Sequence, residues 1–310
     1  MKFDVIMLTW NSEKPWFKKC LKSIKAENFV NKLIVVDKYS RDGTIEIIKE
    51  IFPDATIIRC NYGLAKSRWI GIQHADTEYI AFIDSDIQLL PGWGKIMTSI
   101  LKEYASIAGV HGKDVYVNPY LFKYEQAERK ILGKLLNYYR RVKKHNYVKF
   151  ISLETLSREK VRGLTHNTIV LREALKDWKP PKILSIGEDH HLMLHVLEKG
   201  LYWGVVEKPV ALHYAFKNLK ETYGRGIIEG ASTRILAYYK IIPPKYLWAP
   251  TTLSKWIKVS SIVALKALFI SLMTKEAMFF PYKMLFYLGS ITGYLSHTKY
   301  IDKVMDLQKN

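Results

Sequence analysis

The stretch Leu33-Ile34-Val35-Val36-Asp37-Lys38-Tyr39-Ser40-Arg41-Asp42-Gly43-Thr44-Ile45-Glu46-Ile47-Ile48-Lys49-Glu50-Ile51 decides the fold. Its first four residues are apolar without alternation, as in a strand covered on both faces. Asp37 ends the run, Ser40 to Gly43 supply turn chemistry, and Thr44 to Ile51 carry helical spacing. The same unit recurs on either side. Phe3 to Thr9 reads as a strand, followed by a helix through Trp16, Leu21 and Ile24. Ala55 to Arg59, a helix over Leu64 to His74, and a strand from Tyr79 to Asp84 continue the series. Short buried strands alternating with helices predict a doubly wound, mostly parallel α/β sheet of the Rossmann-like kind.

The chain has 310 residues, 48% of them hydrophobic and 25% charged, enough for a sizeable core and too apolar for wholesale disorder. Cys20 and Cys60 have no metal-ligand spacing and read as buried thiols of a reducing compartment. The first residues show no signal-peptide apolar region, which predicts a cytoplasmic protein. A net charge of +19 is concentrated late: residues 1–112 balance at +2 and residues 113–310 at +17. The second part therefore expects an anionic partner such as nucleic acid, lipid head groups or a phosphorylated substrate.

In an open parallel sheet, ligands bind beyond the carboxyl ends of the strands, and three acidic signals fall at such places. Asp37 closes the second strand, with a plain turn or helix-capping role as its alternative reading. Asp84-Ser85-Asp86 closes the fourth, where two carboxylates one residue apart can hold a divalent cation. Gly187-Glu188-Asp189-His190-His191 opens a helix that also carries His195, and a strand follows that leads to His213. On spacing alone the three neighbouring histidines could ligate zinc, but such a cluster near a helix start reads more simply as surface.

The order Thr9-Trp10-Asn11, Asp37 with Ser40 to Thr44, Asn61 to Gly71, Asp84-Ser85-Asp86, Gly187-Glu188-Asp189 and His213 resembles the GT-A glycosyltransferases of family 2, over about residues 1–215. The resemblance implies an inverting, hexosyltransferase-type enzyme that uses a nucleotide-sugar and Mn²⁺ or Mg²⁺. Thr9, Trp10, Asn11, Asp37, Arg68, Asp84 and Ser85 would bind the nucleotide-sugar. Asp84, Asp86 and His213 would hold the metal, and Asp189 would be the general base with Glu188 beside it. Lys38 and Tyr39 depart from the family's pattern of an acid or Asn followed by a small residue, which leaves the nucleotide base open. The implied division is a nucleotide-sugar-binding half (1–112), an acceptor-binding half with a basic segment (113–228), and a tail (229–310).

That basic segment, Arg129 to Leu153, has eight basic residues, no acid and interleaved aromatics. From Gly230 to Ile301 nine basic residues face a single acid, around two apolar stretches, Val259 to Met273 and Ala277 to Leu295. Lys266, Pro281 and Lys283 interrupt them, so they read as helices lying in a membrane interface rather than spanning it, with a buried helical pair or a transmembrane hairpin as alternatives. The expectation is an enzyme peripheral or monotopic at the cytoplasmic membrane face, with an anionic membrane surface as partner and a lipid-linked saccharide, polyprenyl phosphate or other glycan as acceptor. A nucleic-acid-binding protein is the competing class, but no nucleic-acid-binding motif accompanies the charge and no nucleic-acid partner is expected. A catalytically inactive sugar- or membrane-binding relative is disfavoured by Asp84, Asp86 and Asp189 occurring together.

Overall fold

The computed structural model describes residues 2–117, 148–181, 184, 186–214, 219–275 and 277–301. Most of the basic segment therefore lies outside the described residues. The chain divides into two compact units, the first formed by residues up to 115 with 147–214 and the second holding the C-terminal helices.

In the first unit, β1 (Phe3–Thr9), β2 (Val30–Asp37), β3 (Thr56–Arg59) and β4 (Tyr79–Ile83) are joined by α1 (Phe17–Lys25), α2 (Thr44–Ile51) and α3 (Leu64–Gln73). They lie in the order β3-β2-β1-β4, each neighbouring pair parallel. α1 covers the sheet with Phe17, Cys20, Leu21 and Ile24, one face at helical spacing. Each such side chain contributes roughly 1.5–3 kcal/mol by leaving water. Both cysteines are free and buried, as expected. Asp4 sits fully buried within β1, where it accepts from Asn31 Nδ2 and from the backbone of Asp76 and Thr77. Burial alone would raise its pKa, but these bonds hold it below the usual carboxylate value.

Beyond β4 the sheet changes character. The next elements are β5 (Ile87–Leu89), α4 (Trp93–Glu103), β6 (Ile107–Tyr116), β7 (Val148–Ile151), α5 (Leu153–Glu159), β8 (Asn167–Leu171), α6 (Glu188–Glu198) and β9 (Tyr202–His213). The order continues β4-β8-β6-β9-β5, with β7 also on β9. β8 runs antiparallel to β4 and β6, and β9 antiparallel to β5 and β7. The α/β class stands, but the sheet is mixed: β1–β4 pair in parallel, and antiparallel pairs enter with β8, β5 and β7. An apolar run shows that a strand is buried; it carries no mark of its partner's direction.

The second unit contains α7 (Leu219–Tyr238), α8 (Leu253–Thr274) and α9 (Phe279–Leu295). α7 and α9 meet backbone to backbone. A Cβ on Gly226 would lie 2.1 Å from the Phe286 carbonyl oxygen, and one on Gly230 1.8 Å from that of Ser290. Gly289 and Gly293 are equally tight against Tyr223 and Ile227. Two small-xxx-small pairs thus interlock, a packing that membrane helices favour because apolar side chains gain little there from leaving lipid.

The apolar stretches are less interrupted than their sequence suggests. α8 is a continuous helix of 22 residues, long and apolar enough to cross a membrane by length and composition. Pro281 falls in the first turn of α9, where its missing N–H leaves no helical bond unmade. Around α8, Trp256, Ser260, Ala267, Ile270 and Ser271 are buried, whereas Ile257, Ile262, Leu265, Leu268, Phe269, Leu272 and Met273 are exposed. At about 100° per residue the exposed set fills one sector of roughly 160° opposite the buried one.

Candidate active site

Three strands of the parallel half end level, with Thr9 in register with Asp37 and Asp37 with Arg59. Asp37 is fully buried at that line. It accepts from Thr9 Oγ1 at 2.9 Å, from Ser40 N at 2.8 Å and from Ser40 Oγ at 2.5 Å, with Arg59 Nε at 3.4 Å. Asp37 thus organises the turn after β2, the local role that its position already allowed. Asn11 N donates to Ser40 Oγ, and Asn11 Oδ1 accepts from Arg41 N, so the loops after β1 and β2 are sewn together.

Beside this seam lies a cleft of about 480 Å³ lined by Trp10, Asn11, Lys38, Tyr39, Arg41 and Asn61. Trp10 and Tyr39 expose 66% and 53% of their surface, which leaves flat aromatic area open to a ligand. Lys38 Nζ stands 5.8 Å from the Trp10 ring centroid. Tyr39 has φ 50°, a left-handed conformation costly for a bulky residue, and Asn11 has φ 48°. Strain of that kind collects where a ligand or mechanism needs it.

Ser12 Oγ donates to Ser85 Oγ at 3.2 Å, which joins the cleft wall to the Asp84–Asp86 loop. The loop is also fixed from both sides of the antiparallel half: Asp84 N donates to the His166 carbonyl and Tyr214 N to that of Asp86. The two acids then diverge. Asp84 Oδ1 lies 3.3 Å from Arg68 Nη2, and Arg68 Nε donates to Glu188 Oε1 at 3.0 Å. Arg68 is buried between these two carboxylates, which keep it firmly charged against the cost of burial, and its Nη1 is buried without a hydrogen-bond partner.

Asp86 Oδ2 instead lies 3.4 Å from His213 Nε2, and His213 Nδ1 donates to Asp114 Oδ2 at 2.7 Å. Asp114 Oδ1 is 3.4 Å from His166 Nε2, and the His111 ring stands 5.1 Å from that of His166. Burial opposes charge on His213, but Asp114 and Asp86 push its pKa up to about 9. Burial likewise opposes the charge on Asp86, yet His213 and then His166 hold it low; Asp114 is lowered by the same two imidazoles. Burial and the neighbouring His166 press His111 down to about 3, so it stays neutral. The donor set fits a divalent cation: the Asp86 carboxylate faces the His213 imidazole nitrogen, with Asp114 orienting that imidazole from behind. Asp84, expected as a third ligand, turns to Arg68 instead.

At the start of α6, Gly187 has φ 87°, the turn that releases Glu188 and Asp189 in different directions. Glu188 is buried against Arg68, and burial and the charge of Asp189 raise its pKa in spite of the arginine. Asp189 is more open; its Oδ1 accepts from His190 N at 2.8 Å, and Arg162 Nη2 stands 3.8 Å from its Oδ2. The nearby histidines do not form a metal cluster. His190 Nδ1 accepts from Gly163 N, His191 Nδ1 from Trp178 Nε1, and His195 pairs with Asp177. His190 is fully buried rather than on the surface, because its ring nitrogen serves a backbone N–H that has no strand partner.

Residues 4–176 match the family model of glycosyl transferase family 2. The chain belongs to that family. Over 124 residues it is 35% identical to the SPbeta prophage-derived glycosyltransferase SunS of Bacillus subtilis (strain 168), covering 38% of this chain and 27% of that protein. The chain thus spans about a quarter of that curated relative's length. Among solved structures, Staphylococcus aureus TarS 1-349 in complex with UDP-GlcNAc aligns with a TM-score of 0.52 at 16% identity, over 96% of this chain and 92% of that one. Glucosyl-3-phosphoglycerate synthase from Mycobacterium tuberculosis, in complex with Mn²⁺, UDP and glucosyl-3-phosphoglycerate, aligns with 0.50 at 18%, over 76% and 79%. These likenesses establish the fold, and the expected GT-A architecture holds.

Of the site residues picked from sequence, the structure brings Thr9 and Asp37 together, Arg68, Asp84 and Glu188 together, and Asp86 with His213. Sequence reading missed Asp114, His166 and His111, and gave no site role to Lys38, Tyr39, Arg41 or Asn61. The last four adjoin residues already singled out and were within reach. His111 and Asp114 were not, since three residues apart on a strand predicts opposite faces.

Proposed function

We propose that the protein is an inverting glycosyltransferase that moves a hexosyl group from a nucleotide-diphosphate sugar to an acceptor hydroxyl. The observation that carries this reading is the Ser12–Ser85 link, which sets the aromatic cleft and the Asp86–His213 pair on one continuous edge. The cleft suits a nucleoside, with the diphosphate running toward the acids. Mn²⁺ or Mg²⁺ held by Asp86 and His213, with Asp84 adjacent, would neutralise charge developing on the diphosphate. Arg68 supports the same role through its unpaired Nη1. Asp189 takes the proton of the acceptor hydroxyl as that oxygen attacks the anomeric carbon; the bond to the diphosphate oxygen breaks and the configuration inverts. Glu188 does not share this work, because it is buried and committed to Arg68. Thermal stabilisation and hydrolysis across a panel of nucleotide-sugars, with and without EDTA, test the reading: one donor class should stabilise and turn over only with cation. Equal turnover in excess EDTA removes the metal, and no response to any donor removes the activity.

The acceptor we propose is lipid-linked, a polyprenyl phosphate or lipid-borne saccharide, met at the cytoplasmic membrane face. Support comes from the exposed apolar sector of α8, the interlocked glycines of α7 and α9, and nine basic residues against one acid from Gly230 to Ile301. Anionic lipid attracts such a surface by about 1 kcal/mol per basic residue near it. The full chain should float with anionic liposomes and less so with neutral lipid or high salt. Resistance to both salt and carbonate extraction would mean that α8 spans the bilayer instead.

A further inference from the structure

We propose that His111, Asp114 and His166 form a second divalent-cation position, next to and separate from the Asp86–His213 pair. Its chemistry suits an imidazole-binding first-row transition ion such as Co²⁺ or Zn²⁺ rather than Mg²⁺. Only the companion position rests on the catalytic reading above.

Each of the three residues offers one ligand atom, and these atoms all lie within 4.8 Å of one another. Ligands about 2.0–2.2 Å from a common ion sit roughly 3–3.5 Å apart, so binding needs only a small closure. The hydrogen-bond chain assigns the tautomer of His111. Thr168 Oγ1 has one proton and donates it to the Leu164 carbonyl at 2.9 Å. Toward His111 Nδ1, 3.1 Å away, the hydroxyl therefore only accepts. His111 Nδ1 must carry the proton, which leaves Nε2 with a bare lone pair, the form that binds metal.

His166 Nε2 is buried without a hydrogen-bond partner, and its nearest carboxylate oxygen, Asp114 Oδ1, stands at 3.4 Å. A 3.4 Å approach is a long ion pair rather than a hydrogen bond, and a cation shared with Asp114 Oδ1 would satisfy this nitrogen in its place. Asp114 divides its labour: Oδ2 accepts from His213, and Oδ1 faces His166. The backbone beneath is already set. His111 pairs with Thr168 across β6 and β8, the His166 carbonyl holds Asp84 N, and Asn167 Nδ2 donates to the Gly112 carbonyl. Gly112 has no room for a Cβ, which would come within 2.5 Å of Val210 Cγ2.

The test is Co²⁺ stoichiometry by equilibrium dialysis on the stripped full-length chain, without donor, together with the visible absorption of bound Co²⁺. About two equivalents are expected, with about one lost in His166→Gln and in His111→Gln, and the other lost in Asp86→Asn. His111→Gln keeps a donor for Thr168 and so serves if His166→Gln misfolds. A single equivalent in the wild type, or two retained in both histidine variants, overturns the proposal. So does loss of both equivalents in a histidine variant whose circular dichroism and melting are unchanged, since that would make the set part of one site. Because no donor is present, failure of the transferase reading would leave the histidine-dependent equivalent untouched.

Discussion

The two ends of the candidate site are built in opposite ways. At Thr9 and Asp37 parallel strands stop level, and side chains meet because neighbours in register are neighbours in space. The network there is one carboxylate wrapped by hydroxyls and backbone N–H groups over short loops. Around His213, by contrast, groups arrive from the loop before β5, from β6, from the entry to β8 and from the end of β9. Acids and imidazoles alternate there, each compensating the next. The first arrangement is local and mostly neutral toward its carboxylate; the second depends on the balance of charge and on an ion to complete it.

If that contrast is real, neutralising one acid in the second region should have large effects. Asp86→Asn removes a charged hard-oxygen ligand, and cation-dependent donor binding should vanish, with turnover down by about 10⁴-fold, several kcal/mol of transition-state stabilisation. Donor calorimetry with Mn²⁺ measures the first loss and steady-state assay the second. Unchanged binding in the variant would sink the assignment of Asp86 to the cation. Asp189→Asn should split the two readouts. Turnover falls by about 10³-fold, within the usual range for a lost general base, while donor affinity holds. A collapse of donor affinity would place Asp189 in the binding machinery. Asp114→Asn keeps an acceptor for His213 but drops the charge, so Mn²⁺ affinity at the Asp86–His213 pair should weaken by about 10–100-fold. Manganese paramagnetic resonance titration reads it directly, and an unchanged affinity would reduce Asp114 to a packing residue.

The same contrast explains what the sequence made legible. Thr9, Asp37 and Asp84 each close an uninterrupted apolar run, so their place at strand ends follows from the run itself. Thr44 to Ile51 matches α2 residue for residue because its spacing, preceding turn and length all agree. Asp114 and His166 carry no such mark. His166 becomes important only because β8 enters the sheet antiparallel beside β4, which brings its carbonyl to Asp84 N. Pairing between strands more than eighty residues apart is set by long-range packing, and no local period encodes it. For Glu188 and Asp189 the sequence placed both at a helix start but not their division of roles. Burial against Arg68, which removes Glu188 from the chemistry, depends on α3 and α6 lying together.

The smallest effect is also the one that isolates the charge balance from catalysis. In metal-free protein His213 titrates near 9 instead of its ordinary value near 6.5, because Asp114 and Asp86 favour its charged form more than burial disfavours it. A pKa raised on folding stabilises the fold in full below the unfolded value, about 6.5, and that contribution disappears as pH rises through about 9. The shift bounds it at roughly 3 kcal/mol, and screening at this partly open site makes it smaller. Asp86 and Asp114 are the other halves of the same contacts; their titration lies at acid pH and adds nothing in this window. A cation binds His213 only in its neutral form, so added Mn²⁺ should stabilise least near pH 6 and most near pH 9. Melting temperatures in EDTA should therefore fall by a few degrees from pH 6.5 to 9, while the gain from Mn²⁺ widens over the same range. His213→Gln should flatten both trends. If it melts with the wild-type pH profile, the imidazole between Asp86 and Asp114 is not what couples this region to protons and metal.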